Sequence, residues 1–226
     1  MMYFLSGLPR SGSTLLTSLL NQRSDTYASP TSNLCDTMGG AAFAWEQTPA
    51  TKASGETEAD ILPVLRGMVA HKYEKRPEKY IFDKSRGWLD PTILKTMKAI
   101  QNDVKIIATV RPIAECLASF VKIAKPDDVR DFCKNSDLAT HLFKAYAGLK
   151  AIHESNPDSI LFIEYNALVG HMTGEMDRIS EFIGSPVYTH DPNNIPPSGE
   201  VDEAWDIAGL HDVRPVVGKQ EYSARE

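Results

Sequence analysis

Cysteine is scarce in this 226-residue chain, which holds only Cys35, Cys116 and Cys133. Three widely spaced thiols are too few for a disulfide framework and do not have the spacing of a zinc site. The sequence also lacks an apolar run that approaches the ~20 residues of a membrane-spanning helix. These absences favour a reducing compartment, and we expect a cytoplasmic protein without a membrane span.

The N-terminal segment lacks both a secretory signal and acidic side chains. Gly7 and Gly12 interrupt its apolar stretch at once, and the first carboxylate of the chain is Asp25. The net charge of −6 argues against nucleic acid as a partner, although a basic N-terminus can still form a local anion site. No internal repeat is present, and the length suits one domain over 1–226. The segments most like linkers are 46–60 and 190–205.

Short apolar runs alternate with helical patterns along the chain. This alternation predicts an α/β fold, a three-layer sandwich with a central parallel sheet. Ligands of such sheets bind at the carboxyl ends of the strands. Strands are predicted at 2–6, 80–83, 104–110 and 159–165, and helices at 13–22, from Pro112 to about Ala124, at 137–154 and at 172–183.

The loop after the first predicted strand, GLPRSGST at 7–14, has the two glycines of a phosphate-binding loop. It lacks the lysine of the ATP-binding version, because Ser13 stands at that position. Backbone N–H groups and the N-terminus of the next helix can still hold an oxyanion, and Arg10 can replace the missing cation. The alternative is a capped turn without a ligand. The residues predicted to bind phosphate are Pro9, Arg10, Ser11, Gly12, Ser13 and Thr14.

A second anion site is predicted in KIIATVRPIAECLASFVK, residues 105–122. Arg111 ends a strand, and Ser119 lies eight residues later on the following helix. The spacing between Pro112 and Ser119 returns the same helical face after two turns, roughly 10 Å along the axis. Arg111 and Ser119 can therefore reach one anion that lies against this helix.

These two segments resemble the sulfotransferases that use 3′-phosphoadenosine 5′-phosphosulfate (PAPS). GLPRSGSTLL resembles the 5′-phosphosulfate loop of that family, in the form of its bacterial and tyrosylprotein sulfotransferase branches. The arrangement of Arg111 and Ser119 resembles the family's 3′-phosphate site. The resemblance implies a P-loop NTPase-like sulfotransferase fold, PAPS as donor, 3′,5′-phosphoadenosine (PAP) as product, and no metal.

Three further segments resemble the family in the same order along the chain. FDKSRGW (82–88) implies that Lys84 lies near the transferred sulfonate, with Arg86 as a second cation. FIEYNALV (162–169) implies that Tyr165 contacts the adenosine, although the acidic residue precedes the tyrosine here. GLHDVRP (209–215) resembles a segment that closes over the nucleotide, with His211, Arg214 and Lys219 as candidates.

The family's general base, which takes the proton from the group that receives the sulfonate, has no clear counterpart in this chain. The tyrosylprotein branch uses a glutamate after the first helix, whereas this chain has SPTSNLCDTMGG at 29–40. Asp36 is the nearest carboxylate, and Glu46 is the next. His71, His141 and His153 lie in predicted helices and are expected to be ordinary helix residues.

Two other functions stay open from the sequence. One is a P-loop kinase or NTPase variant in which Arg10 replaces lysine, and the other is an inactive protein that binds PAPS or PAP. For the active enzyme the acceptor is a hydroxyl or an amine of a saccharide, a small molecule, a lipid or a protein. Residues 36–75 are expected to shape its pocket.

Overall fold

A computed structural model of the chain describes residues 2–199 and 211–218. Its centre is a five-stranded sheet in the order β2-β3-β1-β4-β5, in which all neighbouring strands are parallel. The strands are β1 (Met2–Gly7), β2 (Thr26–Ala28), β3 (Tyr80–Lys84), β4 (Ile106–Val110) and β5 (Ile160–Glu164).

Helices cover both faces of the sheet. They are α1 (Ser13–Leu20), α2 (Leu34–Gln47), α3 (Pro49–Ser54), α4 (Glu58–His71), α5 (Pro91–Ile100), α6 (Ile113–Ala124), α7 (Val129–Asn135), α8 (Asp137–Ser155), α9 (Tyr165–Gly170) and α10 (Met172–Ile183). Short 3-10 turns lie at Arg86–Leu89 and Pro157–Ser159.

Strand β1 separates the two halves of the hydrophobic core. Phe4 faces a cluster that contains buried side chains of α2, α5, α6 and α8. Its neighbours Tyr3 and Leu5 face the opposite cluster, which contains α1 and α10. Successive strand residues point to opposite faces, so one strand serves both clusters. The predicted three-layer α/β fold is confirmed.

The strand order brings three loops to one edge of the sheet. In the registers of the sheet, Leu5 of β1 lies beside Lys84 of β3, and Gly7 lies beside Thr109 of β4. The chain builds β2 and β3 on one side of β1 and β4 and β5 on the other. The loops after β1 and β4 therefore lead in opposite directions at the carboxyl ends of these strands, and ligands of such sheets bind at that point.

The segment between β2 and β3 differs most from the sequence expectation. Helices α2, α3 and α4 occupy most of 34–71, and the linker-like stretch 46–60 contains all of α3. Thr57 and Asp60 form a capping box that starts α4. Strand β2 was not predicted, because three residues are too short to show a period.

Candidate active site

The loop between β1 and α1 has the backbone of an anion cradle. Gly12 has φ 92°, and a Cβ at this position would lie 2.6 Å from Cδ2 of Tyr165. Arg10 adopts φ 63°, a left-handed conformation that is uncommon for a residue with a side chain. Helix α1 begins at Ser13, with no acidic residue in its first turn. No carboxylate of that turn therefore neutralises its positive end.

Ser11 holds this loop to the sheet. Its side chain is fully buried, and Oγ donates to the carbonyl oxygens of Leu8 (2.5 Å) and Thr109 (2.9 Å). Its oxygen also lies 2.6 Å from Oγ1 of Thr109. Neither Ser11 nor Pro9 lines the cavity described below, whereas Arg10, Gly12, Ser13 and Thr14 do. The hydroxyl of Ser11 thus faces the protein and not the predicted anion.

The two predicted anion sites contact each other. Nε of Arg10 donates to Oγ of Ser119 at 3.0 Å. Nη1 of Arg111 donates to the backbone oxygen of Arg10 at 3.3 Å. Both Arg111 and Ser119 are buried at this edge of the sheet. Sequence spacing alone did not predict this direct link between the loop and α6.

Arg111 is fixed from two directions. Its Nε donates to Oε2 of Glu115 at 2.8 Å, and its guanidinium carbon lies 4.3 Å from the centre of the Tyr165 ring. The i,i+4 spacing of Arg111 and Glu115 was visible in the sequence, but the role of Glu115 was missed. Tyr165 is the first residue of α9, directly after β5. Its ring therefore packs against both Gly12 and Arg111.

The end of β3 places Lys84 and Arg86 in the same cavity. The residue before Lys84 is Asp83, which is fully buried. Its carboxylate accepts hydrogen bonds from Ser32 Oγ (2.6 Å), Tyr73 OH (2.7 Å) and Trp88 Nε1 (2.9 Å).

Burial raises the pKa of the Asp83 carboxyl, and these three donors oppose that shift only in part. Through these hydrogen bonds Asp83 connects β3, the strand that carries Lys84, to the segments that contain Ser32, Tyr73 and Trp88. Trp88 belongs to the core, since it is buried and its ring lies 4.6 Å from that of Phe4.

Two buried cysteines lie beneath the site. Burial raises the pKa of the Cys35 thiol to about 12 and that of the Cys116 thiol to about 11. Both groups are therefore neutral at physiological pH, and both belong to the hydrophobic cluster that packs on Phe4. They serve as small core side chains.

A cavity of about 1090 Å³ joins these parts. Its lining includes most of the residues that the sequence predicted for the site: Arg10, Gly12, Ser13, Thr14, Lys84, Arg86, Arg111, Ser119, Tyr165, His211 and Arg214. Helix α2 adds Asp36, and α8 adds Asp137, His141 and Lys144. Glu46 is exposed and does not line the cavity, and Lys219 lies outside the described residues.

Comparison with known proteins identifies the family. A family model described as the sulfotransferase family matches residues 3–190. The chain belongs to the sulfotransferase family. No curated protein matches this sulfotransferase. Within residues 2–199 and 211–218, no helix is long and apolar enough to cross a membrane.

Solved sulfotransferase structures share the fold. The sulfotransferase from Alicyclobacillus acidocaldarius has a TM-score of 0.56 and 13% identity, with 88% of this chain and 85% of that chain covered. The sulfotransferase domain of the Synechococcus PCC 7002 olefin synthase has a TM-score of 0.53 and 22% identity, with 82% and 73% covered. Mouse sulfotransferase SULT7A1, solved in complex with PAP, has a TM-score of 0.51 and 16% identity, with 83% and 60% covered.

Proposed function

We propose that this sulfotransferase, as a single domain, moves a sulfonate group from PAPS to a hydroxyl or amine acceptor by in-line displacement. The observation that carries the proposal is the contact between Arg10 and Ser119, which joins the predicted 5′ and 3′ anion sites in one cavity. A nucleotide with charged groups at both positions suits this arrangement. The PAP complex of the mouse relative supports the same donor.

The donor set fits a bisphosphate nucleotide. Arg10 and Arg111 offer two guanidinium groups, which bind phosphate oxygens through paired N–H groups. Ser13, Thr14 and Ser119 add hydroxyl donors at the cavity wall. The N-terminus of α1 adds backbone N–H groups and a positive dipole end. Pro9 and Ser11 shape the loop from beneath.

Tyr165 and Arg214 complete the proposed nucleotide site. The Tyr165 ring already packs against the guanidinium of Arg111 and lies at Gly12, so adenosine on this side would contact both loops. Arg214 lines the cavity on the C-terminal segment and is exposed. It would close over the bound nucleotide from the open side.

The mechanism uses positioning and charge. PAPS supplies an activated sulfonate on a phosphate leaving group. Arg10 and Lys84 would stabilise the negative charge that grows on the bridging and equatorial oxygens. Asp36, on the first turn of α2, lines the cavity and is the carboxylate predicted from the sequence as the proton acceptor. As in phosphoryl transfer, holding donor and acceptor in line contributes most of the rate.

The proposal is tested by sulfonate transfer from PAPS to a phenol, a monosaccharide, a long-chain alcohol and a tyrosine peptide. Mass spectrometry detects the sulfonated acceptor, and the amount of released PAP is measured in the same sample. Lys84→Ala should lower kcat/KM at least about a hundredfold, because it removes one transition-state cation. Arg130→Ala is the matched control, since Arg130 is exposed on α7 and does not line the cavity.

Two results would contradict this proposal and assign a different function. Magnesium-dependent ATP turnover without PAPS consumption would assign the chain to the kinase-like alternative. Tight PAP binding without transfer to any acceptor, water included, would show an inactive nucleotide-binding protein.

A further inference from the structure

One face of α8 lines the cavity. Asp137, His141, Lys144, Gly148 and Ala151 recur at intervals of three and four residues, which places them on one side of the helix. The neighbouring stripe is buried in the core and consists of Leu142, Ala145, Leu149 and Ile152. Helix α8 is therefore held by its apolar stripe while its polar face borders the cavity.

Gly148 fixes where this face lies relative to Lys84. A Cβ at Gly148 would collide with the backbone oxygen of Leu89, so α8 presses directly on the 3-10 turn Arg86–Leu89. That turn begins two residues after Lys84. His141 lies two helical turns before Gly148, roughly 10 Å along the axis. It borders the space that Lys84 and Ser119 also line.

The His141 ring lines the cavity, whereas His71, His153, His171 and His190 do not. Nδ1 of His71 lies 2.8 Å from the Gly67 oxygen, His153 packs edge-on against Phe162, the His171 ring lies next to Gly174, and His190 is buried. His141 is exposed on the cavity wall, and no hydrogen bond or ion pair joins its ring to another described residue. His211 also lines the cavity, but it lies on the C-terminal segment with Arg214, which the proposed function places over the nucleotide.

We propose that His141 is the general base that takes the proton of the acceptor, an assignment that rests on the proposed function. Imidazole is the side chain that proteins use most often as a general base. The O–H bond of a hydroxyl acceptor breaks, and its proton passes to a ring nitrogen of His141. The oxygen electron pair forms the new O–S bond. The bond from sulfur to the 5′-phosphate oxygen breaks, and PAP leaves with that pair.

The test compares phenol with 4-nitrophenol as acceptors. 4-Nitrophenol is largely ionised at slightly alkaline pH and needs no base, whereas phenol keeps its proton. His141→Gln should lower kcat with phenol about a hundredfold and leave kcat with 4-nitrophenol within about threefold of wild type. KM for PAPS and the affinity for PAP, measured by calorimetry, should stay unchanged. His153→Gln is the matched control on the same helix, outside the cavity.

A second readout does not depend on turnover. Diethyl pyrocarbonate modifies exposed imidazoles, and mass spectrometry reports the rate at each histidine. PAP and phenol together should slow the modification of His141 at least about fivefold and leave that of His153 unchanged.

Four results would overturn the assignment. Two concern His141→Gln: an equal loss of kcat with phenol and 4-nitrophenol, or normal transfer to phenol. The third is that PAP and phenol do not protect His141 from diethyl pyrocarbonate. The fourth is a wild type that binds PAP but consumes no PAPS with phenol. A selective loss of transfer to phenol in Asp36→Asn, with His141→Gln unaffected, would assign the base to Asp36. A wild type that binds no PAP refutes the proposed function itself, and the assignment with it.

Discussion

Nε of Arg10 donates a 3.0 Å hydrogen bond to Oγ of Ser119, which lies 109 residues away in the sequence. Arg10 belongs to the loop predicted to hold a 5′ phosphosulfate, and Ser119 belongs to the helix predicted to hold a 3′ phosphate. Their contact makes the two predicted sites neighbours on one cavity wall.

Ser119→Ala should weaken binding of PAP at least about tenfold, because a hydrogen bond to a charged group contributes about 1.5–3 kcal/mol. Adenosine 5′-phosphate lacks the 3′ group, so its affinity should stay the same. Calorimetric titration of both nucleotides measures the difference. Ser155→Ala is the control, since Ser155 bonds to Ala151 and Asn156 at the end of α8 and does not line the cavity. Equal losses for both nucleotides would contradict a 3′-phosphate role for Ser119.

Gly12→Ala should damage both stability and nucleotide binding. A left-handed backbone costs a residue with a Cβ about 1–2 kcal/mol, and this Cβ would also meet the Tyr165 ring. Gly184→Ala is a matched control, because Gly184 has φ 67° and, apart from its chain neighbours, no described residue lies within 4 Å of its Cβ position.

Urea unfolding should show a larger loss for Gly12→Ala than for Gly184→Ala. Only Gly12→Ala should lose PAP binding. Equal losses of stability together with normal PAP binding would show that Gly12 and Tyr165 do not pack as described.

Glu115→Gln should tighten PAP binding severalfold. The carboxylate offsets part of the Arg111 charge, whereas the amide oxygen of glutamine still accepts the hydrogen bond that orients the guanidinium. Glu154→Gln provides the control, because Glu154 forms an i,i+4 ion pair with Lys150 at the exposed surface. Weaker PAP binding by Glu115→Gln would show that the charge of Glu115 is needed to hold Arg111.

Asp83 should make stability depend on pH. Its pKa is raised in the folded state, so the folded protein binds more protons than the unfolded chain. The stabilisation is complete below the unfolded pKa of 3.8 and is lost as pH rises through the folded pKa. The free energy of unfolding of wild type minus that of Asp83→Asn should therefore fall as pH rises from about 4 to 7.

Asp25→Asn supplies a control of opposite sign. The hydrogen bond from Arg23 lowers the pKa of Asp25, so its stabilisation is present above the unfolded pKa and is lost as pH falls. The free energy of unfolding of wild type minus that of Asp25→Asn should therefore increase as pH rises. Urea unfolding across the pH series measures both differences, and parallel curves for the two variants would refute the Asp83 prediction.

The sequence was informative where one local pattern determines the structure. Four strands were predicted from apolar runs, and Arg111 was placed correctly at the end of β4. Positions that depend on distant partners were not predictable. Ser11 turns inward because its hydroxyl donates to the backbone oxygen of Thr109 in β4, 98 residues along the chain.

The polar face of α8 shows a second limit of prediction from the sequence. Periodicity indicates that Asp137, His141 and Lys144 share one side of a helix, but it does not say what that side faces. His141 was therefore interpreted as an ordinary helix residue. The contact of Gly148 with Leu89 sets that direction, and only the packed structure shows it.

Calorimetric titration of PAP, compared with ATP and magnesium, on wild type, Arg111→Ala and Arg130→Ala tests the proposed nucleotide site. We expect tight binding of PAP, much weaker binding of ATP, loss of PAP binding in Arg111→Ala and no change in Arg130→Ala. A preference for ATP, or unchanged PAP affinity in a folded Arg111→Ala variant, would contradict that proposal.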